Sequence, residues 1–393
     1  MPIQPLETPL NEYTRMNAVN PIYFDHAATT KPCDEVVALY TRLEQENFGN
    51  SSSIHALGVK SQSYENKAKE LILKTLKLEH YRVVFTSGST EANNLMIIGY
   101  ARKYKNRGRH LITSNIEHPS VLECFKALEK EGFEVTYLPV NKNGEIELEQ
   151  LKKAMRDDTI LVSIMSTNNE IGSRNNLSEL AKIVHQYPKA IFHSDTTQSI
   201  GKDLVPFGEL DAFVISGHKI HGLKGSGCLL LKDKISLEPI IYGGGQEDGF
   251  RSGTVAVSLC CALSKAVSLA YEKVEQKTKQ ISRIYQQILD KLHHIAEVEI
   301  NSNNNGSPYI LNFSLKSKKA SVVVEALSNQ GIYVSSVSAC HSKKEQSSYV
   351  VAAIGKNEKL SANTIRLSFG KDNTIEEAES FVSAFIKILE SIR

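Results

Sequence analysis

Lys219 stands in the stretch SGHKIHGLKGSG (216–227), between two apolar runs that are typical of buried strands. Polar residues also occur at the ends of two predicted strands earlier in the chain. The segment TSGST (86–90) follows one strand and opens a helical pattern, and Asp195 is the last residue of AIFHSD (190–195). Pyridoxal phosphate needs a lysine that holds its aldehyde as an imine, a carboxylate that keeps its pyridine nitrogen protonated, and a cradle for its phosphate. The three features together indicate this cofactor, since none of them is specific alone.

Each of these segments also has a purely structural interpretation. Ser89 and Thr90 would let backbone N–H groups at a helix N-terminus close on a phosphate, but an ordinary capped turn has the same composition. Asp195 could cap a following helix or pair with a cofactor cation. Gln198 suits either a capping box or a second polar contact. The sequence leaves both interpretations open.

Further polar residues could complete the same site. Ser216 and His218 flank the lysine closely enough to reach a phosphate. His118 precedes a proline and is expected in an extended turn, where a histidine without a function is also common. In TIRLSFG (364–370) apolar and polar residues alternate, so Arg366 projects from the face opposite the core. It is either a solvated arginine or a bidentate clamp for a carboxylate.

Strands and helices that could position these residues alternate over most of the chain. The predicted strands are YRVVF (81–85), HLITS (110–114), FEVTYLPV (133–140), TILVSIM (159–165), AIFHSD (190–195), DAFVIS (211–216) and GCLLL (227–231). This alternation predicts an α/β fold with a mostly parallel sheet that helices cover on both faces. Ligands of such sheets bind at the carboxyl ends of the strands, and the residues discussed above occur at those ends.

The pattern changes after residue 262, where an amphipathic helix (Ile281 to Ile295) precedes strands near 309–314 and 364–369. These elements predict a smaller α+β lobe. We therefore divide the chain into a large cofactor-binding domain, 22–262, and a small C-terminal domain, 263–393 together with the N-terminal segment 1–21.

Composition excludes several functional classes. Among 393 residues, 46 Lys and Arg nearly balance 44 Asp and Glu, so no global charge favours nucleic acid or an anionic membrane. Residues 1–20 have no apolar core of a signal peptide, and no run of 18 apolar residues occurs. We expect a cytoplasmic protein whose partners are a small molecule or another protein.

The six cysteines are at positions 33, 124, 228, 260, 261 and 340, without a C-x-x-C pair or a zinc-like Cys/His cluster. The sequence therefore predicts neither disulfides nor a metal site. Five of them are predicted to be small buried hydrophobic residues. Cys340 differs, because it lies in the polar stretch SVSACHSKKEQSS (336–348) and is expected to be an exposed thiol.

A series of segments, in the same order, resembles a known family. The segments are YFDHAATT (23–30), GNSSSIHALG (49–58), TSGSTEANN (86–94), EHPSVL (117–122), NNEIG (168–172), FHSDTTQSIGK (192–202), SGHKIHGLKGSG (216–227), GGGQEDGFRSGT (243–254), SACHS (338–342) and IRLSFG (365–370). From Tyr23 to about Ile388 the chain resembles the cysteine desulfurases, fold-type I pyridoxal-phosphate enzymes of the class V aminotransferase group. It departs from the usual pattern at His221 and Leu223, where Tyr and Pro are more common.

The resemblance implies a role for each candidate residue. Lys219 would form the imine, Asp195 would pair with the pyridinium nitrogen, Gln198 would contact the ring hydroxyl, and His118 would stack on the ring and move protons. The implied phosphate ligands are Ser89, Thr90, Ser216, His218 and, from the second subunit of a homodimer, Thr254. The implied ligands of the substrate carboxylate are Asn169 and Arg366.

The reaction implied by the resemblance removes sulfur from L-cysteine, gives L-alanine and leaves a persulfide on Cys340. A sulfur-acceptor protein would then use the sulfur for iron–sulfur cluster assembly or for thiolation of tRNA or a cofactor. His341, Lys343 and Lys344 lie close in sequence and could lower the pKa of the Cys340 thiol. Two alternatives stay open: a selenocysteine lyase, and a catalytically silent sulfur-carrier or interaction subunit, which would be expected to lose Lys219 or Asp195.

Overall fold

The structure is a computed structural model that describes residues 21–336 and 347–392. The strands are β1 (Ile22–Tyr23), β2 (Tyr81–Thr86), β3 (His110–Ser114), β4 (Glu134–Leu138), β5 (Thr159–Ser163), β6 (Ile191–Asp195), β7 (Ala212–Ser216), β8 (Gly227–Lys232), β9 (Val298–Ile300), β10 (Ile310–Leu315), β11 (Ile332–Tyr333), β12 (Ser335–Ser336) and β13 (Thr364–Ser368). The α-helices are α1 (Asp34–Glu46), α2 (Ala56–Thr75), α3 (Ser89–Tyr104), α4 (Pro119–Lys130), α5 (Leu148–Ala154), α6 (Leu177–Val184), α7 (Val257–Tyr271), α8 (Val274–Leu292), α9 (Ala320–Ser328), α10 (Tyr349–Ala353), α11 (Glu358–Ala362) and α12 (Ile375–Ser391).

Seven of the described strands form one mixed sheet in the order β2-β8-β7-β6-β5-β3-β4. Strand β8 is antiparallel to β2 and β7, and the pairs from β7 to β4 are parallel. Successive residues point to opposite faces, so Phe213 joins the apolar cluster on one face and Val214 the cluster on the other. Helices α1, α2, α5, α6 and α7 contribute to the first cluster, and α3 and α4 to the second. The predicted α/β fold is confirmed.

Every predicted strand of this sheet forms. Strands β6 and β7 each begin one residue later than predicted, and two other strands are shortened at their ends. Strand β4 covers Glu134–Leu138 instead of 133–140, and β5 ends at Ser163 instead of residue 165. Ile164 and Met165 remain buried after β5 has ended. An apolar run that is buried by other elements has the same sequence pattern as a strand, which explains the overextension.

A second sheet lies towards the C-terminus, with the antiparallel order β12-β13-β10-β9. Helices α8 and α12 pack on it through a separate apolar cluster that includes Ile288, Phe313 and Phe385. The rings of Phe313 and Phe385 are 5.5 Å apart, edge to face. The predicted amphipathic helix is confirmed as α8, although it ends at Leu292 and does not reach Ile295.

The chain after β1 crosses from the second sheet to the large one. Phe24 belongs to the apolar cluster of the second sheet, and Ala27 N donates to Ser368 Oγ at the end of β13 (2.8 Å). Thr30 N donates to the carbonyl of His218, just after β7 (2.8 Å). We call residues 24–30 the crossing segment. It brings backbone carbonyls to the carboxyl ends of the parallel strands.

The domain boundary at residue 262 stays a prediction. Helix α7 spans this residue, and its Leu263, Ala266 and Val267 belong to the same apolar cluster as the large sheet. Strand β1 pairs with β11, so the chain from residue 21 onward meets the C-terminal part of the structure. Residues 1–20, which the prediction adds to the small domain, lie outside the described residues.

Candidate active site

Lys219 lies at the carboxyl end of the large sheet, where β7 ends and a short 3-10 helix spans Gly217–Lys219. Its Nζ donates to the carbonyls of Ala27 (2.5 Å) and Ala28 (2.8 Å) in the crossing segment. Both acceptors are neutral, so neither stabilises the ammonium form as a carboxylate would. The side chain is thus held between the two sheets by groups that tolerate an uncharged amine.

Charge and burial act together on this amine. Burial, followed by the charges of Arg366 and Lys202, lowers the pKa of Lys219 to about 7, and the nearby carboxylates of Asp25 and Asp195 oppose this in part. About half of the amine is therefore uncharged near pH 7. The uncharged form is the nucleophile that imine chemistry needs.

Asp195 ends β6 as a buried carboxylate. Its Oδ2 accepts from Asn93 Nδ2 of α3 (2.9 Å), and its Oδ1 accepts from Thr197 N (3.0 Å). The residues that follow, 196–201, form turns and no helix, so the interpretation of Asp195 as a helix cap is wrong. Both donors are neutral groups, and a buried carboxylate of this kind is costly unless a cation lies beside it.

His118 is connected to Asp195 through a chain of side chains. Asn93 Nδ2 also donates to Ser120 Oγ (3.0 Å), which lies 2.8 Å from His118 Nδ1. His118 is the N-cap residue of α4, and its Nδ1 accepts from Ser120 N (3.1 Å). Burial lowers the pKa of His118, partly against the charge of Asp195, so its imidazole is neutral at pH 7. Since Nδ1 is engaged, Nε2 remains for proton transfer.

The start of α3 lies against the end of β7. Helix α3 begins at Ser89, and Thr90 follows in its first turn. A Cβ placed on Gly88 would point to Ser216 Oγ at 3.7 Å, and a Cβ on Gly227 would lie 2.5 Å from Gly88 Cα. Gly227 lets the start of β8 pack closely on Gly88, and the missing side chain of Gly88 leaves a space bounded by the helix N-terminus and the Ser216 hydroxyl. Such a space, at the positive end of a helix, suits a phosphate.

His218 and Thr254 border the same region. His218 Nδ1 lies 3.2 Å from Thr29 Oγ1. Burial, then the charges of Lys219 and other lysines, lowers the pKa of His218 to about 4, so it would donate to an anion as a neutral imidazole. Thr254 is exposed and lines a cavity of about 240 Å³ together with Ser87 and Ser226. It therefore stands on the outer side of the turn that opens α3.

Arg366 and Asn169, which the resemblance implies as ligands of the substrate carboxylate, are in contact. Arg366 Nη1 donates to the carbonyl of Asn169 (2.9 Å), and Nη2 donates to Asp25 Oδ1 (2.9 Å). The Arg366 side chain is only 14% exposed, so its interpretation as a solvated arginine is wrong. Its Nε is buried and has no hydrogen-bond partner within the part of the chain that the structure describes. A buried guanidinium with an unused donor is suited to a carboxylate ligand.

Three residues of the site were missed by sequence reasoning: Asp25, Asn93 and Lys202. Asp25 pairs with Arg366, Asn93 joins Asp195 to Ser120, and Lys202 contacts Gln198. All three lie inside segments that the family resemblance covers. Asn93 is fully buried on α3. The signal in the sequence that could have identified it is its position as a polar residue on an otherwise apolar helix face.

Cys340 lies outside the described residues. Of the other five cysteines, four are buried and Cys33 is only partly buried, so the prediction of five buried cysteines is wrong at Cys33. All five are free thiols, and burial raises the pKa of each. Within residues 21–336 and 347–392 there is no cluster of three or more His, Cys, Asp or Glu side chains that could hold a metal ion. In the same residues, no helix is long and apolar enough to span a membrane.

Residues 22–381 match the family Aminotransferase class-V. The NifS/IcsS protein homolog of Lactobacillus delbrueckii subsp. bulgaricus is 37% identical over 94% of this chain and 97% of its own. Cysteine desulfurase IscS of Neisseria gonorrhoeae is 39% identical over 95% of this chain and 93% of its own. The chain belongs to the cysteine desulfurase family.

Two solved structures have the same fold as this chain. A structure described as a NifS-like protein superimposes with a TM-score of 0.88 at 32% identity, and the match covers 95% of this chain and all of that one. A structure of SspA in complex with cysteine superimposes with a TM-score of 0.77 at 32% identity, over 88% of this chain and 98% of that one. The predicted family and its fold-type I architecture are therefore confirmed.

Proposed function

We propose that this protein is a pyridoxal-phosphate-dependent cysteine desulfurase, which converts L-cysteine to L-alanine and stores the sulfur as a persulfide on Cys340. The observation that carries the proposal is the arrangement around Lys219. The charge of its low-pKa amine is influenced by the carboxylate of Asp195, whose hydrogen-bond donors are neutral, and by the guanidinium of Arg366, whose Nε has no partner among the described residues. The Asp195 carboxylate suits a protonated pyridine, and the Arg366 guanidinium suits an amino-acid carboxylate.

The residues of the site fit pyridoxal phosphate. Asp195 would hold the pyridine nitrogen, His118 would cover the ring, and Gln198 would contact the ring hydroxyl. Ser89, Thr90, Ser216 and His218 would bind the phosphate in the space beside Gly88. When bound, the cofactor supplies an electron sink that weakens the bonds at Cα and Cβ of an attached amino acid.

The chain's own residues would perform the remaining steps. Arg366 and Asn169 hold the substrate carboxylate, which fixes the position of Cα. Lys219 Nζ, uncharged in about half of the molecules at pH 7, accepts the proton that leaves Cα. His118 Nε2 is a second site that can hold a proton beside the reacting atoms.

Sulfur transfer would be a displacement at the substrate sulfur. The Cys340 thiolate attacks this sulfur, an S–S bond forms and the Cβ–S bond breaks. Cβ takes up a proton, so the products are L-alanine and an enzyme persulfide. The step needs no external oxidant, because the electron pair of the broken Cβ–S bond stays with the carbon.

The assay that tests this function is the release of alanine from L-cysteine by the purified protein, with L-selenocysteine as the competing substrate. Alanine and protein-bound persulfide from L-cysteine support the desulfurase. Turnover of selenocysteine alone would replace it with a selenocysteine lyase, and turnover of neither would leave a silent sulfur-carrier subunit. The contacts of Lys219 and Asp195 favour an active enzyme over the silent subunit.

We further propose a cytoplasmic location and a protein partner that accepts the persulfide sulfur, for iron–sulfur clusters or for thiolation of tRNA or cofactors. The free thiols of the described cysteines suit a reducing compartment. Adding a candidate acceptor protein to the assay should raise the rate at which sulfur leaves the enzyme. An acceptor-independent rate with every candidate would contradict this part of the proposal.

A homodimer is proposed on the basis of exposed apolar side chains. Phe48 is 75% exposed, Ile54 98% and Val59 56%, an unusual density for one surface loop and the helix that follows. A second copy would cover them, and Thr254 of one subunit would then reach the phosphate site of the other. A monomer in sedimentation experiments with full cofactor occupancy would contradict this.

Replacing Arg366 with alanine should chiefly weaken the binding of the amino acid. The loss of a buried, charged hydrogen-bond donor to a carboxylate costs about 2–4 kcal/mol, which raises the apparent KM for L-cysteine on the order of 30- to 1,000-fold. The affinity for the cofactor should change little, since Arg366 contacts Asp25 and Asn169 and none of the proposed cofactor ligands. An unchanged KM would show that Arg366 does not bind the substrate.

A further inference from the structure

Among the described residues, Lys202 is a buried cation without a salt bridge to a carboxylate. The residue is 9% exposed, and its Nζ lies 5.8 Å from the ring centre of Tyr309. The adjacent Asp203 is engaged instead by Arg174 and by the hydroxyl of Thr167. Burying an ammonium without a salt bridge is costly, so we infer that Lys202 does not stabilise the fold through its charge.

The direct hydrogen bond of Lys202 is to the site. Lys202 Nζ donates to Gln198 Oε1 (3.2 Å), and Gln198 Nε2 donates to the carbonyl of Ala27 (3.0 Å). The same carbonyl accepts from Lys219 Nζ (2.5 Å). Because Lys202 can only donate, it requires the amide oxygen of Gln198 on its side and turns the amide NH2 towards Ala27 and Lys219.

Lys202 also acts on Lys219 through its charge. Among the described residues, the charged and titratable groups that act on Lys219 are Arg366 from β13, Lys202 from the turn after β6, Asp195 from the end of β6, Asp25 from the crossing segment, and the neutral imidazoles of His118 and His218. Of these, Arg366 and Lys202 are the cations, and both lower the pKa of Lys219. Arg366 is neutralised in part by a salt bridge to Asp25, whereas Lys202 donates to a neutral amide and is opposed, within the described part of the chain, only by the charge of Asp203, which pairs with Arg174.

We propose that Lys202 is a positioning residue, which fixes the Gln198 amide for its contact with the cofactor and maintains Lys219 as an uncharged amine. The first role rests on the proposed function, because that function supplies the identity of the cofactor. The second role does not, since it concerns the cofactor-free chain. The two roles can therefore be tested separately.

The second role is tested by labelling the cofactor-free full chain with trinitrobenzenesulfonate, which reacts with uncharged amines. The labelled Lys219 peptide is measured by mass spectrometry as a function of pH. Lys202→Met should move the midpoint of Lys219 labelling up by about one pH unit, because a neighbouring positive charge has been removed. The matched control is Lys277→Met. Lys277 lines a cavity of about 270 Å³ that Lys202 and Lys219 also line, but it donates to the carbonyls of Leu269 and Ala270 and not to Gln198.

The control should leave the labelling midpoint unchanged. A Lys202→Met midpoint equal to that of the wild type would overturn the electrostatic role, whatever reaction the enzyme catalyses. Conversely, a shifted midpoint in a protein without desulfurase activity would support this role while the proposed function failed. The two failures are thus distinguishable.

The first role is tested by a double-mutant cycle on the affinity for pyridoxal phosphate. If Lys202 acts through Gln198, then Lys202→Met and Gln198→Ala should each weaken binding, and the double variant should bind no worse than Gln198→Ala. The positioning role would be overturned if the double variant lost affinity for pyridoxal phosphate by the product of the two single-variant factors.

Stability separates this role from a structural one. Burial, the largest effect, lowers the pKa of Lys202 to about 8, below its value of 10.5 in an unfolded chain. The unfolded chain then binds more protons between pH 8 and 10.5, so this group makes the wild type more stable as the pH rises through that window. Lys202→Met should lack this contribution and be at least as stable as the wild type at pH 7. A large loss of stability at pH 7 would identify Lys202 as a structural residue and overturn the proposal.

Discussion

Lys219→Ala should lose turnover of L-cysteine by about a thousandfold or more, the scale on which catalytic proton-transfer groups contribute. The purified variant should also lose the visible absorption band of a lysine-bound cofactor. Both effects have the same physical origin, since the variant lacks the low-pKa amine that faces Asp195 and the crossing segment. Alanine release and the absorption spectrum are the measurements.

The fold should survive this substitution. Lys219 has a pKa of about 7 in the folded chain against 10.5 in an unfolded one, so its charged form is disfavoured by folding at neutral pH. Removing the amine relieves that cost and offsets the two lost hydrogen bonds. The cofactor-free variant should therefore unfold near the wild-type temperature at pH 7, whereas the wild type gains stability relative to it between pH 7 and 10.5.

Lys224→Ala is the matched control, because Lys224 is an exposed lysine of the same loop. It should retain both the absorption band and turnover. Normal turnover by Lys219→Ala would refute the assignment of this lysine, and loss of turnover by both variants would show that the loop, and not the Lys219 amine, is what matters.

The large sheet was predictable because its strands are buried on both faces. A strand such as β7, AFVIS, is apolar at nearly every position, and this pattern is visible without knowledge of its neighbours. The parallel direction of the strands then placed Asp195 and Lys219 at the same edge, where the structure has them. Strand ends were less predictable, as Ile164 and Met165 illustrate.

Contacts across the two sheets were not predictable from local patterns. Asp25 and Arg366 are 341 residues apart, and their pairing depends on how β1 and β13 are joined through the crossing segment. The same holds for Lys202, whose function depends on the amide it contacts and not on any spacing in the sequence. Arg366 was placed on the correct face of its strand, but only the structure reveals that this face is covered.

His221, which departs from the family pattern, lies next to a histidine that is distant in sequence. His26 belongs to the crossing segment, and its ring centre is 5.9 Å from that of His221. His221 has a positive φ of 59° and its Nδ1 contacts the carbonyl of Lys31 (2.9 Å). Sequence comparison could flag His221 as unusual, but it could not identify the neighbour that shares its environment.

Cys340→Ser should abolish the release of alanine from L-cysteine and leave no persulfide on the protein. The substrate sulfur would have no nucleophile, since a serine hydroxyl is not ionised at neutral pH and does not accept sulfur. The cofactor should stay bound, because none of its proposed ligands is changed, and L-cysteine should still perturb the absorption spectrum. The polar sequence around Cys340 predicts an exposed thiol, so stability should remain within about 0.5 kcal/mol of the wild type, as for surface substitutions in general.

Cys33→Ser provides the matched thiol control. Cys33 is partly buried, lines the cavity beside Lys219 and has its pKa raised, chiefly by burial, so it is a poor nucleophile despite its position. This variant should keep turnover and form the persulfide. L-Selenocysteine separates the two steps further, because selenium leaves carbon more readily than sulfur, and Cys340→Ser should retain part of its activity on that substrate. Wild-type turnover of L-cysteine by Cys340→Ser would exclude the persulfide mechanism, and loss of persulfide in Cys33→Ser would move the sulfur acceptor to the cavity beside Lys219.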